Sequence, residues 1–234
     1  MAAWAELSAA IQTTDGLSWM VLAALVAGLV RGFAGFGTAM VFLPVAGQFL
    51  SPFSALTALM VMDLIGPLPK LRSAMRDGHL PDMVRLGAGA VLMIPVGLWV
   101  LGQVDPEVFR YGVSFAALLL LILLASGVRY SGRMTPPLVL GTGGLGGLLA
   151  GLVGLPGPPV IFLYMASKLP PAAIRGNIYT YLVMVDVLIL GSLWIMDQLV
   201  VAALAVGALL ILPYALGVYV GAAIFRPEAE TTYR

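Results

Sequence analysis

The chain has 234 residues, of which 61% are hydrophobic and 10% are charged, with a formal net charge of +1. Long apolar stretches that are nearly free of charge predict an all-α, polytopic helical membrane protein, and the lack of a basic cluster argues against a nucleic-acid partner. Because the chain has no cysteine, disulfides, thiolate metal sites and cysteine nucleophiles are excluded.

Seven apolar blocks follow a lead-in, residues 1–16, which we predict to be amphipathic and which lacks the basic start of a cleaved signal peptide. Five blocks correspond to one crossing of about 20 helical residues each, although one of these five is short for it. Two blocks would run roughly 45–50 Å as straight helices, well beyond a hydrocarbon core of about 30 Å, yet each is short for two crossings. Glycine or proline interrupts both of these long blocks halfway. The blocks are 17–50 and 136–166 (the long pair), 53–67 (the short one), 84–101, 107–125, 176–195 and 199–225.

Basic residues are concentrated in the links on one side of the predicted membrane. The links 102–107 and 196–198 contain acids and neither Lys nor Arg. By the positive-inside rule, the links that carry the basic residues are cytoplasmic. These residues are Lys70, Arg72, Arg76, Arg85, Arg129, Arg133, Lys168, Arg175, Arg226 and Arg234.

This orientation determines the shape of the two long blocks. Both ends of block 136–166 lie inside, so we predict a hairpin that opens to the cytoplasm. Block 17–50 is predicted to be the same kind of hairpin, open to the outside, whether re-entrant or made of two thin crossings. The expected protein therefore spans the plasma membrane several times, with an external N-terminus and a cytoplasmic C-terminus.

An internal repeat relates the two halves of the chain. A shift of 119 superposes three glycines and a proline, and four extra residues in the second copy align one acid with another. The copies have opposite predicted orientations, and inverted-topology repeats with broken segments are typical of secondary transporters. We predict a single membrane domain over 1–234, with repeat 1 at about 17–101, a linking helix at about 107–125 and repeat 2 at about 136–225. The aligned pairs are Gly28 with Gly147, Gly32 with Gly151, Gly35 with Gly154, Pro52 with Pro171 and Asp63 with Asp186.

The breaks in the two hairpins predict an anion site. Each hairpin resumes as a short helix, one beginning near Thr38, a good N-cap, and the other near Pro158, which suits a first turn. Two helix N-termini, each with a partial charge of roughly +0.5, would meet inside the membrane and attract an anion, and Arg31 would add a full charge. The predicted substrate-binding residues are Arg31, Gly35, Gly37, Thr38, Gly154, Gly157, Pro158, Pro159, Asn177 and Tyr179, and the predicted ion-coupling residues are Asp186 and Asp63.

Simpler interpretations of these residues stay open. The glycines at 28, 32, 147 and 151 would also serve close helix packing. Arg31 would also fit near a helix end, with its side chain extended to the membrane surface. Asp186 would fit a structural pair with Arg31 or a hydroxyl, Asp63 an interfacial position near Lys70 or Arg72, and His79 a solvated link.

Two segments resemble the glycine-rich motifs of the TauE/SafE family of sulfite-exporter-like permeases. They are GLVRGFAGFGTAMVFLPV (28–45) and GLLAGLVGLPGPPVIFLYMASKLPPAAIRGN (147–177), and residues 76–101 resemble the link and helix that follow the first motif. In the second motif, prolines at 156, 158 and 159 replace glycine or other small residues. The resemblance implies transport of a small sulfur-containing anion such as sulfite, sulfoacetate or another sulfonate.

These observations predict a secondary transporter of such an anion, bound at the bilayer midplane between the two breaks and coupled to H+ or Na+. No catalytic constellation is present, so we do not expect an enzyme or a cofactor. A passive anion channel and a non-transporting membrane subunit are the alternatives. The expected partners are the anionic substrate and membrane lipid, with a homodimer left open and no nucleic acid.

Overall fold

The computed structural model describes residues 16–66, 68–126, 134–164 and 167–224. All regular secondary structure within these ranges is helical, and six of the helices are long and apolar enough to cross a membrane (α1, α5, α6, α7, α9 and α10 below). The prediction of an all-α, multi-pass membrane protein is confirmed at this level. The helices are Leu17–Ala34 (α1), Thr38–Ala46 (α2), Pro52–Ile65 (α3), Leu68–Asp77 (α4), Leu80–Leu101 (α5), Pro106–Ala125 (α6), Pro136–Val153 (α7), Gly157–Tyr164 (α8), Pro171–Ile195 (α9) and Val201–Ile224 (α10).

The helix α4 lies in what the sequence predicted to be a link. Its sequence, LPKLRSAMRD, is too polar for a crossing, but its apolar residues recur at helical spacing. Leu68 and Met75 on this helix are each about half exposed, which is typical of a helix that lies along a membrane surface. The helices α5 and α9 also begin earlier than predicted, since Pro81 and Pro171 suit the first helical turn.

The helices α1 and α7 end in the same way. Gly35 caps α1 with a φ of 80° and donates its backbone N–H to Arg31, and Gly154 caps α7 with a φ of 71° and donates its N–H to Ala150. Such left-handed conformations favour glycine, because a Cβ would clash with the backbone. In each case a short helix starts three residues after the glycine, at Thr38 or at Gly157.

Glycines permit the two most extensive helix contacts in the described part of the chain, α5 with α7 and α1 with α10. A Cβ on Gly28 would lie 2.2 Å from the carbonyl oxygen of Tyr214, and one on Gly147 would lie 2.7 Å from the Cα of Ala90. A Cβ added to Gly32 or to Gly151 would likewise lie 2.2 or 2.6 Å from a backbone oxygen of the neighbouring helix. Their contacts support the packing interpretation of these four glycines.

Several sequence predictions fall on residues that lie outside the described ranges. They are the amphipathic lead-in over 1–15, the basic residues Arg129, Arg133, Arg226 and Arg234, and the positions of the two termini. The orientation relative to a membrane therefore stays a prediction.

Candidate functional site

The two helix breaks line one small cavity inside the helical bundle, which we call the tip cavity. The first tip, residues 35–38, and the second tip, residues 154–159, both contribute to it. Its volume of about 40 Å³ has room for two or three water molecules, since each needs about 10–15 Å³ by this measure. The predicted site residues that line it are Arg31, Gly37, Thr38, Asp63, Gly154, Gly157, Pro158 and Asp186.

Arg31 is the positive group of the tip cavity. It lies in the last turn of α1, and only 8% of its surface is exposed, so its side chain does not extend to the membrane surface. Its Nη1 lies 3.7 Å from Oδ2 of Asp63, which is also buried. Its Nη2 is buried and has no hydrogen-bond partner. A buried charged donor without a partner is costly, so Nη2 is a ready donor to an anion.

Tyr214 connects this ion pair to the first tip and was not predicted from the sequence. Its hydroxyl donates to Oδ1 of Asp63 and lies 3.2 Å from the hydroxyl of Thr38. Tyr214 is on α10, so the network joins four helices, α1, α2, α3 and α10. The sequence offered one signal: a tyrosine, buried here to 1% exposure, within a very apolar segment.

The start of the short helix in the first tip has more backbone N–H groups than the start of the short helix in the second tip. The N-cap of α2 is Gly37, with a φ of 101° and no side-chain cap, and the first four N–H groups of a helix have no partner within it. Thr38, which was predicted to be the N-cap, is therefore the first helical residue, and its hydroxyl meets Tyr214 instead. In the second tip, Pro156, Pro158 and Pro159 carry no N–H. Among residues 156–159, Gly157 is therefore the one with a backbone N–H.

Asp186 faces Arg31 and Asp63 from α9. It is 4% exposed, and its Oδ2 is buried with no hydrogen-bond partner. The ionisable residues that line the tip cavity are one arginine and two aspartates. With all three ionised, the lining carries one net negative charge.

Four predicted substrate-binding residues lie outside the tip cavity. Gly35 and Tyr179 line adjoining cavities, while Pro159 and Asn177 do not line the tip cavity. The amide of Asn177 is fully buried, accepts the backbone N–H of His79 at 2.7 Å and donates to the hydroxyl of Tyr164 at 2.7 Å. Asn177 therefore ties the start of α5 to α8 and α9, which is a structural task.

His79 belongs to the hydrogen-bond network of Asn177 and Tyr164, so it is not simply solvated. Its side chain is 42% exposed, and its Nδ1 lies 3.2 Å from Oδ2 of Asp82. Tyr164 donates to that same Asp82 oxygen at 3.4 Å, and Arg85 pairs with the other oxygen at 3.1 Å. This network holds the N-terminus of α5 against the C-terminal end of α8.

Comparison with known proteins gave one result that covers most of the chain. A family model described as "Sulfite exporter TauE/SafE" matches residues 20–234. A search of curated proteins and a search of solved structures found no match.

Proposed function

The chain belongs to the TauE/SafE sulfite exporter family, a family of membrane transporters. We propose that it is a secondary transporter of a small sulfur-containing oxyanion, which binds in the tip cavity. The observation that carries the proposal is the meeting of both tips and Arg31 at one cavity. Arg31 Nη2 and the N–H groups at the start of α2 would bind the anionic oxygens. A cavity of about 40 Å³ favours an ion of a few heavy atoms, such as sulfite, over a bulky sulfonate.

We further propose that α1–α5 and α7–α10 are inverted repeats joined by α6. The same shift of 119 that aligns the glycines takes Leu17–Ala34 onto Pro136–Val153, and it takes the starts of α2 and α3 onto those of α8 and α9. The first helix of each half packs against the last helix of the other half, α1 on α10 and α7 on α5. A single crossing by α6 would turn the second copy upside down, which would present the tips from opposite sides of the membrane.

The charges of the tip cavity give a reason for coupling to a cation. An anion that enters while Asp63 and Asp186 are both ionised meets one net negative charge in a medium of low dielectric constant, which opposes binding. Asp63 is already paired with Arg31 and Tyr214, whereas one oxygen of Asp186 has no partner. Uptake of H+ or Na+ at Asp186 would remove the excess negative charge, so that Arg31 Nη2 could bind the anion while Nη1 stays near Asp63.

The sequence of events follows from these contacts. A proton or sodium ion binds Asp186, the anion then binds between Arg31 and the first tip, and both move together as the cavity changes the side on which it opens. Without the cation, anion binding is weak, so a cation gradient drives the anion. Without the anion, Arg31 stays paired with Asp63.

Reconstituted vesicles provide the test. We expect radiolabelled sulfite to accumulate against its own gradient when a pH or sodium gradient is imposed, and we expect Asp186→Asn to abolish this accumulation while downhill sulfite exchange continues. Asp105→Asn, which changes an exposed acid in the link before α6, is the matched control and should leave accumulation unchanged.

The other results of this experiment each reject the proposal. Full gradient-driven accumulation by Asp186→Asn would remove the coupling role of Asp186. Sulfite flux that no gradient can drive uphill would indicate a passive anion channel. No sulfite flux at all, with a protein that co-purifies, would indicate a non-transporting subunit.

A further inference from the structure

One face of α9 carries a stripe of residues that runs from near the N-terminus of the helix to the tip cavity. The stripe consists of Arg175, Tyr179, Leu182 and Asp186, at spacings of four, three and four residues. Residues at these spacings lie on the same side of an α-helix. At a rise of about 1.5 Å per residue, the stripe is roughly 16 Å long.

Cavities accompany this stripe along its whole length. Leu182 and Asp186 line the tip cavity, and Tyr179 lines three further cavities of about 210, 220 and 280 Å³. Arg175 lines the second and third of these. The stripe is therefore a wall shared by four neighbouring cavities.

Two residues each line both the tip cavity and one of the larger cavities. Arg31 lines both the tip cavity and the cavity of about 210 Å³. Phe36 lines both the tip cavity and the cavity of about 280 Å³. Arg31 and Phe36 therefore lie between the tip cavity and two of the larger cavities, and Tyr179 lines both of those larger cavities.

The charges along the larger cavities differ. In the cavity of about 220 Å³, Asp77 is present with Arg175, so the two charges compensate each other. In the cavity of about 280 Å³, Arg175 is the one charged residue of the lining. An oxyanion would therefore favour the cavity of about 280 Å³, which Arg175 lines together with Tyr179.

We propose that this stripe is the access path of the transporter and that Arg175 and Tyr179 form an outer station for a small oxyanion before it reaches Arg31. This inference rests on the proposed function and adds a second anion site and a direction. The distribution of basic links puts the start of α9 in the cytoplasm, so the path opens to the cytoplasm. The conformation is inward-facing, and an anion from the cytoplasm meets Arg175 first, Tyr179 next and Arg31 last.

Cysteine labelling tests the path directly, because the natural chain has no cysteine. The full-length Tyr179→Cys variant is treated in inverted and in right-side-out vesicles with membrane-impermeant thiosulfonates, one carrying a sulfonate and one a quaternary ammonium group. We expect labelling from the cytoplasmic face only. The ratio of the labelling rates of the anionic and cationic reagents should be higher than their ratio for a free thiol in solution. Adding Arg175→Gln should lower that preference by about threefold, since one unit charge near the path is removed.

Two control variants separate the path from general effects. Val187→Cys lies on α9 at 53% exposure, away from the four cavities, and should stay unlabelled because a thiol in lipid does not ionise. Arg72→Gln removes an exposed arginine of α4 that lines none of these cavities, and it should leave the charge preference of Tyr179→Cys unchanged.

Labelling of Tyr179→Cys from the outside only, or from neither side, would overturn the access path. Labelling with a charge preference that Arg175→Gln leaves intact would overturn the outer anion station. Because labelling requires no transport, these failures are distinct from a failure of the proposed function, which would appear as absent sulfite accumulation with labelling intact.

Discussion

The two tips have the same backbone design and different chemistry. Each follows a long helix that ends at a left-handed glycine, Gly35 or Gly154, and each precedes a short helix. The first tip is polar: Thr38 contacts Tyr214, and the nearby Arg31 pairs with Asp63. The second tip contains three prolines and is lined by apolar neighbours, so it has few donors of its own.

Under the proposed function, this difference would give the two halves of the protein different roles. The first half supplies the positive charge and the backbone N–H groups that would hold an anion. The second half supplies a rigid wall, because proline fixes φ and so limits the conformations of its tip, together with Asp186 on α9. In this account the first tip determines anion affinity, and the second half determines coupling and the shape of the cavity.

The largest expected effect concerns the positive charge beside the first tip. Arg31→Gln removes the cation of the tip cavity and leaves Asp63 without its ion pair. We expect sulfite affinity to fall by about 100-fold, the equivalent of roughly 2.7 kcal/mol. Thermal-shift titrations of purified protein with sulfite measure the change, since a ligand that binds the folded state stabilises it by an amount that grows with the logarithm of one plus the ratio of free ligand concentration to Kd.

Arg72→Gln is the matched control for this prediction, because it also removes an arginine but at an exposed position on α4. Its sulfite affinity should equal that of the natural chain. Equal affinities for the natural chain and Arg31→Gln would remove the first tip from the account.

A pair of glycine substitutions compares the two tips where their short helices begin, at the N-cap of α2 and at the first residue of α8. Gly37→Ala forces a side chain into a φ of 101° and brings its Cβ to 3.0 Å from Cγ1 of Val30, so we expect a loss of about 1–3 kcal/mol in unfolding free energy. At Gly157 an added Cβ meets Leu182 and Ile161 at 3.6 and 3.7 Å, which are ordinary contacts. Gly157→Ala should therefore unfold within about 0.5 kcal/mol of the natural protein.

Thermal unfolding of both variants in the same detergent measures this comparison. A lower unfolding temperature for Gly157→Ala than for Gly37→Ala would contradict the difference between the tips.

The smallest expected effect comes from restoring a donor to the second tip. Pro158→Ala adds a backbone N–H in the first turn of α8, close to the tip cavity. We expect sulfite affinity to rise by about twofold, because the new donor is added to an anion site that Arg31 already dominates. A tenfold or greater change in the thermal-shift titration, in either direction, would show that the second tip contributes as much as the first.

The apolar pattern of the sequence predicted most of the fold. Block lengths and the glycines at 35 and 154 were sufficient to locate the two breaks, since both features are local. The helix α4 was missed because its charged residues made it resemble a loop, although its apolar residues have a helical spacing. Periodicity was a better guide there than composition.

The candidate site was harder to predict because its contacts connect distant parts of the chain. Tyr214 meets Asp63 and Thr38 across separations of 151 and 176 residues, and no local pattern indicates such pairs. Asn177 was predicted as a substrate ligand because it is a polar residue in an apolar block, and that pattern gave no sign that its amide bonds His79 and Tyr164. The sequence predicted Arg31, Asp63 and Asp186 for one site, but the ion pair of Arg31 with Asp63 connects α1 to α3 across the fold and has no local signal.

The most direct test of an anion held between the tips is a structure of the protein with selenite, an analogue of sulfite whose selenium gives an anomalous X-ray signal. We predict a single strong anomalous peak in the tip cavity, within hydrogen-bonding distance of Arg31 Nη2 and of the N–H groups at the start of α2. A peak elsewhere in the membrane region, or none at a selenite concentration that stabilises the protein, would contradict the account.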